Sequence, residues 1–226
     1  GFQNVTINLP QCAFRAGRGQ YDRIFGEIEK QLEICIKAHL QKREFARKLM
    51  SAPSMPLWQV GKPAADGRPY IDLEASTYII GLIGLNEALH YATGKELHED
   101  EESLRLGLRI VSHLYFAVKE AGKKHGLKFT LEESPAESAA RRLAKVDLRR
   151  YPESADFMRG DIDDDEMYYT NSIHMRPDAE TDLVTRIQRQ AKFHSLIESG
   201  AIIHAFVGEN RPSPGAIGSL VYKAFD

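Results

Sequence analysis

The polar residues best suited to ligand chemistry follow a short apolar run at residues 127–131. Glu132, Glu133 and Ser134 come directly after this run, and residues 134–137 read Ser-Pro-Ala-Glu, a helix capping box with proline at the first helical position. A strand that leads into a helix through a short loop is the unit of a parallel α/β sheet. Ligands of such sheets usually lie beyond the carboxyl ends of the strands and face the helix N-terminus. We therefore predict that these three side chains face a pocket.

A second polar stretch, Tyr-Tyr-Thr-Asn-Ser-Ile-His, occupies residues 168–174. Thr170, Asn171 and Ser172 offer neutral hydrogen-bond donors and acceptors of the kind that hold sugar hydroxyls or phosphates. A buried strand rarely carries so many polar side chains, with His174 at its end, unless their polar atoms have partners. We predict a substrate-binding segment here; the alternative is an edge strand or turn whose polar groups satisfy one another.

Other motifs have simpler explanations. The acidic run at residues 161–165 lacks the glycine and closing glutamate of an EF-hand, so it is typical of a solvated loop. The two glycines at residues 81–84 lack the third glycine of a dinucleotide fingerprint and favour close backbone packing or a bend. Asn86, after them, is either a helix cap or a site residue. We predict a core position for His204, an inert thiol for Cys12, and no metal site.

Composition excludes several classes of protein. The 226 residues are 42% hydrophobic and 27% charged, which is ordinary for a globular chain. A net charge of −2 gives no electrostatic reason to expect a nucleic-acid partner. No apolar run reaches the ~20 residues that a membrane span needs, and no signal peptide is visible. Cys12 and Cys35 cannot form a disulfide framework, which predicts a reducing cytoplasm.

Hydrophobic periodicity predicts an α/β chain of about five strand–helix units. Five parallel strands form either an open sheet or half of a larger barrel, and periodicity leaves both possibilities open. The predicted strands cover residues 4–9, 77–84, 127–131, 168–175 and 201–207, and the predicted helices cover 21–50, 86–93, 99–123, the segment after 134, 182–198 and 213–220.

Six stretches, in this order along the chain, together resemble the anaerobic (class III) ribonucleotide reductases of the glycyl radical enzyme superfamily. They are Val-Thr-Ile-Asn-Leu-Pro at 5–10, Gly-Leu-Asn-Glu-Ala-Leu at 84–89, Thr-Gly-Lys at 93–95, Glu-Glu-Ser-Pro-Ala-Glu-Ser at 132–138, Tyr-Thr-Asn-Ser at 169–172 and Gly-Ala-Ile-Ile-His at 200–204. The resemblance extends over almost the whole chain.

The resemblance implies a ten-stranded α/β barrel, of which residues 1–226 would be a single partial domain, the carboxyl-side half. The implied reaction reduces ribonucleoside triphosphates to deoxyribonucleoside triphosphates: a glycyl radical makes a thiyl radical on a finger-loop cysteine, which abstracts the ribose 3′ hydrogen. Asn8 is the expected catalytic residue and would orient a ribose hydroxyl. The expected substrate-binding residues are Glu132, Ser134, Thr170, Asn171, Ser172 and His174.

The same resemblance implies a structural zinc, an S-adenosylmethionine iron–sulfur enzyme that installs the glycyl radical, and a homodimer of the full-length protein. The finger-loop cysteine is expected just before Gly1, and the zinc cluster and radical loop beyond Asp226, so we expect a fragment that is inactive alone. Two alternatives remain open from the sequence. One is another glycyl radical enzyme, of the acyltransferase or dehydratase type; the other is a non-catalytic nucleotide-binding or assembly module.

Overall fold

The chain is organised around a parallel sheet of three strands. The computed structural model describes residues 1–205 and 211–225. The strands are β1 (Gln3–Asn8), β2 (Thr77–Ile83) and β3 (Lys128–Glu132). Thr6 of β1 pairs with Gly81 of β2, which in turn pairs with Glu132 of β3. The carboxyl ends of the three strands therefore meet at one edge of the sheet.

Helices connect and cover these strands. Among the described residues they are α1 (Leu9–Ala16), α2 (Tyr21–Met50), α3 (Trp58–Gly61), α4 (Leu85–Thr93), α5 (Glu101–His125), α6 (Glu137–Arg150), α7 (Leu183–His194) and α8 (Pro214–Phe225), with a 3-10 helix at Pro152–Phe157. No helix in this described part of the chain is long and apolar enough to cross a membrane.

The long helices α2 and α5 form where the sequence predicts them. Helix α2 buries Ile24, Ile28 and Leu32 at helical spacing. Helix α5 starts at Asp100, whose carboxylate accepts a 2.7 Å hydrogen bond from the Ser103 N–H, and ends at Gly126 in the left-handed conformation (φ 63°). Both helices pack on the core and thereby cover one face of the sheet.

The covered face carries the apolar side chains of the alternating strand pattern. Ile7, Ile80 and Leu131 lie there, buried to 1% exposure or less. Tyr78, two residues before Ile80, places its ring 5.6 Å from the ring of His39 on α2. The opposite face carries Asn4, Thr6, Gly81 and Glu132, together with the apolar Ile79 and Ile83 of β2, so it is the more polar of the two faces.

Two local predictions at strand ends are wrong. Pro10 does not simply end β1; it lies in the first turn of α1, which Asn8 caps by accepting from the Gln11 N–H. The capping box at Ser134 does not form, because α6 begins at Glu137 with Ala136 as its N-cap and no capping side chain. Ser134 instead bonds to side chains of the sheet.

The two later strands are also not found as predicted. Residues 168–175 form an irregular segment with isolated bridges from Asn171 to Ile83 and from Tyr168 to Arg159. Residues 201–205 have no regular structure, and 206 and 207 lie outside the described residues. Residues 199–202 nevertheless follow the free edge of β3: Ser199 N–H donates to the Leu131 carbonyl (3.1 Å) and Glu133 N–H to the Gly200 carbonyl (3.0 Å). The described residues thus contain three sheet strands rather than five.

Candidate functional site

Four polar side chains, two from β1 and two from the end of β3, converge on Gly81 of β2; we call Asn4, Thr6, Glu132 and Ser134 the Gly81 cradle. Asn4 Nδ2 donates to Glu132 Oε2 at 2.6 Å and also contacts Ser134 Oγ. Ser134 Oγ donates to the same Glu132 oxygen at 3.0 Å, and Thr6 Oγ1 donates to Asn4 Oδ1 at 3.3 Å. The cradle is therefore a connected hydrogen-bond network built around one carboxylate.

Glycine at position 81 makes this convergence possible. A Cβ added there would lie 2.6 Å from Ser134 Oγ, 2.7 Å from Asn4 Oδ1 and 2.8 Å from Thr6 Oγ1. Those distances are shorter than any tolerable carbon–oxygen contact, so a larger residue would push the network apart. This is the close packing expected of a glycine inside an apolar strand.

The cradle lies on the face of the sheet that α2 and α5 leave open. Asn4 is exposed and Thr6 and Glu132 are half-buried, whereas Ser134 is only 5% exposed. Every hydrogen bond that Glu132 makes within the described residues uses Oε2, so Oε1 remains available to a ligand. Parallel sheets are normally covered on both faces. The open face is therefore a candidate site for a ligand or for further protein.

Helix α6 begins beside the cradle with a free N-terminus. Its N-cap is Ala136, and none of the described side chains caps it. The first backbone N–H groups of a helix have no intrahelical partner and carry the positive end of the helix dipole. Glu137 at this end accepts a hydrogen bond from Asn171 Nδ2 at 3.3 Å. The first turn of α6 can therefore bind an anion next to Ser134.

A cavity of about 350 Å³ adjoins this helix start. Apolar side chains such as Ala140, Tyr168 and Met175 form much of its wall. Polar groups at its edge include Glu137, Arg141, Asn171, Gln190, His174 and His204. An apolar cavity with a few convergent polar groups is the usual form of a small-molecule site.

The segment predicted to bind substrate is clamped to the end of β2. Gly84 N–H donates to the Thr170 carbonyl (3.0 Å), and Leu85 N–H donates to the Ser172 carbonyl (3.1 Å). Thr170 Oγ1 donates to Glu87, whose carboxyl is fully buried and whose pKa is raised by that burial. Thr170 thus bonds to a side chain outside the segment, and it also lines the cavity.

Asn171 and Ser172 differ in accessibility. Asn171 lines the cavity, whereas Ser172 is 1% exposed with a positive φ of 50°. Within the described residues the Ser172 hydroxyl has no hydrogen-bond partner. The structure therefore brings Asn171 to the candidate site and buries Ser172 behind it.

His174 lines the cavity with its ring while both its nitrogens face protein groups. Gln190 Nε2 lies 2.9 Å from Nδ1, and Glu133 Oε2 lies 3.4 Å from Nε2. Burial lowers the pKa of His174 to about 4, so the ring is neutral near pH 7. His204 stacks on it with ring centroids 5.2 Å apart. The prediction that His204 is a core residue is wrong, because its side chain is exposed and lines the cavity.

Asn8 lies at the same edge of the sheet but is engaged by another buried group. Its Nδ2 donates to Asp147 Oδ2 at 2.7 Å. Asp147, fully buried on α6, also accepts from Gln11 Nε2 (2.6 Å) and from the Tyr169 hydroxyl (3.1 Å). Burial raises the pKa of this carboxyl, while the three donors oppose the rise. Asn8 therefore ties β1 to α6.

Neither cysteine is a candidate nucleophile. Cys12 is fully buried, with its thiol directed at the Asn8 carbonyl 3.4 Å away. Burial raises the pKa of Cys12 to about 12 and that of Cys35 to about 11. Both thiols are therefore protonated and inert near pH 7. Among the residues that the structure describes, no group of three or more His, Cys, Asp or Glu side chains could hold a metal ion.

The sequence analysis missed Asn4, Thr6 and Gly81 as site residues. One signal was present, because Asn4, Thr6 and Asn8 are polar at every second position of β1, which marks one face of a strand. For Asp147 no local signal existed, since its partners come from distant parts of the chain. Glu133 was predicted to face a pocket, but its carboxyl is buried and faces His174 and His194.

The comparisons with known proteins agree on one family. The family model described as anaerobic ribonucleoside-triphosphate reductase matches residues 1–226. The protein of that name from Enterobacteria phage T4 is 24% identical over 207 residues, which cover 88% of this chain and 32% of that protein. The Haemophilus influenzae protein of that name is 27% identical over 216 residues, which cover 88% of this chain and 28% of that protein.

Solved structures show the same fold. The crystal structure of the anaerobic ribonucleotide reductase from Thermotoga maritima with glycerol in the active site superposes with a TM-score of 0.76 at 21% identity, covering 99% of this chain and 34% of that one. The structure of that enzyme in complex with dATP and CTP gives a TM-score of 0.73 over 99% of this chain. The chain spans about a third of the length of these relatives.

Proposed function

The chain belongs to the anaerobic ribonucleoside-triphosphate reductase family, and on this basis we propose that it contributes the substrate-binding surface of such a reductase. The resemblance carried by the ordered motifs is confirmed by that match. The observation that supports the proposal is the Gly81 cradle on the open face of the sheet, next to the uncapped start of α6. The whole-chain match favours a reductase over an acyltransferase or a dehydratase.

The ribose of a ribonucleoside triphosphate would lie over the Gly81 cradle. A carboxylate, an amide and two hydroxyls are the groups that pair best with sugar hydroxyls, as donors and as acceptors. Glu132 Oε1 would accept from a ribose hydroxyl, because Oε2 is already held by Asn4 and Ser134. The network then fixes the carboxylate before the substrate arrives, which reduces the entropy lost on binding.

The phosphates would lie at the start of α6. Unpaired N–H groups and the helix dipole favour negative charge there. Thr170, Asn171 and the ring of His174 would form the adjoining wall of the cavity, with Ser172 supporting them from behind. Asn171 places its side-chain amide at the start of the helix, where the amide already donates a hydrogen bond to Glu137.

Asn8 would act at the carboxyl end of β1 through the second N–H of its side-chain amide. The first N–H is held by Asp147, which orients the amide plane. We propose that the second N–H donates to a ribose hydroxyl, as the resemblance implies. Asp147 would then be the residue that positions Asn8.

The radical chemistry of the family would be supplied by a glycine and a cysteine in other parts of a longer protein. The buried, protonated thiols of Cys12 and Cys35 support this division. The structural zinc would also be held elsewhere, since the described residues contain no suitable donor set. We also propose that the chain forms the carboxyl-side half of a ten-stranded barrel. The full-length protein would be a cytoplasmic homodimer, and a radical-activating enzyme would be its partner. Residues 199–202 along β3 would mark the next strand position.

Binding of CTP to the 226-residue chain tests the proposal, measured by isothermal titration calorimetry. We expect Glu132→Gln to weaken binding about tenfold, because a hydrogen bond to a charged group is lost. Glu29→Gln, an exposed position on α2, is the matched control and should bind as the wild type does. Absence of CTP binding to the wild type, or equal affinity of the two variants, would contradict the proposal.

A further inference from the structure

A second cluster of titratable groups lies immediately behind the candidate site. Glu133, the neighbour of Glu132, points to the interior and is 3% exposed. Its carboxyl faces His174 Nε2 at 3.4 Å and His194 Nε2 at 3.6 Å. Within the described residues no Lys or Arg pairs with it. A buried carboxyl whose ionic neighbours are two imidazoles is rare in a protein core.

The same carboxyl holds a chain segment in place. Ile202 N–H donates to Glu133 Oε2 at 3.0 Å. Backbone bonds from Ser199 to Leu131 and from Glu133 to Gly200 hold the start of this segment against β3. At the other end, the His204 ring stacks on His174 and lines the cavity. One carboxyl therefore connects the end of β3, α7 and the wall of the cavity.

Burial opposes charge on both members of the central pair. It raises the pKa of Glu133 from 4.5 to about 7 and lowers that of His174 from 6.5 to about 4. Residues 199–205 are held against β3 while Glu133 is neutral. The contribution of Glu133 to this closed state is complete below pH 4.5 and is lost as the pH rises through about 7. The contribution of neutral His174 to the closed state is complete above pH 6.5 and is lost as the pH falls through about 4.

The two effects act in opposite directions over the same pH range and so cancel. We propose that Glu133 and His174 form a clasp of two neutral buried groups, which holds residues 199–205, and with them the His204 wall of the cavity, against β3 from mildly acidic to neutral pH. The clasp needs no nucleotide and does not depend on the proposed reaction. The titratable and charged groups that face it are His194 and Arg186 from α7 and His204 from the held segment.

The Ile202 amide reports the clasp directly, because Glu133 accepts its hydrogen. Hydrogen exchange of this amide, measured by NMR between pH 4.5 and 6.5 and corrected for the intrinsic rate, gives the opening equilibrium. We expect the wild type to vary by less than about threefold, since the two effects cancel. In Glu133→Gln the opening equilibrium constant should be about tenfold larger at pH 4.5 than at pH 6.5. In His174→Gln it should be about tenfold larger at pH 6.5 than at pH 4.5.

His113→Asn is the control, because His113 lies on α5 and contacts Glu29 instead of the clasp. It should match the wild type. The proposal would be overturned if the opening of the Ile202 amide changed with pH in the same direction in Glu133→Gln and His174→Gln. It would also be overturned if the opening were independent of pH in both variants.

Amides of β2, in the core, show whether each variant remains folded. If a variant loses protection there, the wild-type His174 ring is titrated by NMR instead. A midpoint near pH 4 supports the clasp, and a midpoint near the ordinary pH 6.5 overturns it.

Discussion

The two faces of the small parallel sheet are built from the same three strands but perform different tasks. On the covered face, Ile7, Ile80 and Leu131 are buried against the helical core. On the open face, Asn4, Thr6 and Glu132 meet over Gly81. Burial of apolar area stabilises the fold without regard to direction, whereas the open face holds directional donors and acceptors. Stability and binding are therefore separable, although the two faces lie one residue apart along each strand.

The consecutive residues Glu132 and Glu133 show the same contrast in two carboxyl groups. Glu132 is half-buried and hydrogen-bonded to Asn4 and Ser134. Glu133 is buried, and its pKa is raised by desolvation. Alternation at the end of β3 sends one carboxyl to the open face of the sheet and the other to the interior. A one-residue shift in register would exchange their roles.

The largest expected effect comes from the covered face. Ile80→Ala removes a fully buried side chain from the centre of the sheet. We expect the free energy of unfolding to fall by about 3–4 kcal/mol, because the lost transfer energy and the new cavity both contribute. Urea denaturation followed by circular dichroism measures it. A loss below about 1 kcal/mol would mean that this face is less tightly packed than the structure shows.

The second effect depends on pH and concerns Glu133. The contribution of this buried carboxyl to stability is lost as the pH rises from 4.5 through about 7, and Glu133→Gln lacks that contribution. The free energy of unfolding of the variant, relative to the wild type, should therefore rise by about 2 kcal/mol across that range. Denaturation series at several pH values measure the difference. A difference independent of pH would mean that burial does not raise the pKa of Glu133.

A substitution in the floor of the cradle should have a smaller effect on stability and a clear effect on binding. Gly81→Ala introduces a Cβ within 2.6–2.8 Å of three oxygen atoms, so the side chains must move apart. We expect a loss of about 1–2 kcal/mol in stability, as for other overpacked sites, and weaker binding of CTP. Gly218→Ala in α8, with no neighbour near its Cβ, is the matched control. Unchanged CTP affinity in Gly81→Ala would separate the cradle from the ligand site.

The smallest effect on stability is expected on the open face itself. Glu132→Gln keeps the size of the side chain and an acceptor for Asn4. We expect a change of less than about 0.5 kcal/mol in the free energy of unfolding, as for other partly exposed polar groups. Thermal denaturation at pH 7 measures it. A loss comparable to that of Ile80→Ala would show that the open face also supports the fold.

Long periodic elements were predictable from the sequence. Helix α2 repeats apolar residues at helical spacing through Ile24, Ile28 and Leu32, and β2 is a continuous apolar run. Shorter features failed where two local meanings compete. Pro10 can end a strand or start a helix, and Ser134 can cap a helix or bind a neighbouring strand. In both cases the structure adopts the second possibility.

The polar segment at residues 168–174 shows a further limit. The structure attaches it to the end of β2, where the Gly84 and Leu85 N–H groups donate to the carbonyls of Thr170 and Ser172, and the sequence did not predict this attachment. The predicted strand was wrong, because isolated bridges and a positive φ at Ser172 make it a turn-like segment. Composition indicates that polar atoms need partners, but it does not identify the partners.

The three strands of the sheet, the long helices, the family motifs and the polar alternation of β1 were all present in the sequence, since each depends on neighbours a few residues apart. The meeting of Asn8 with Asp147, 139 residues later, and of Glu133 with His174 and Ile202 was decided by the tertiary structure. Hydrogen bonds and desolvation act over a few ångströms in space, whatever the distance along the chain. The packed sheet and helices alone therefore determine which carboxyl lies on the open face and which is buried beside histidines.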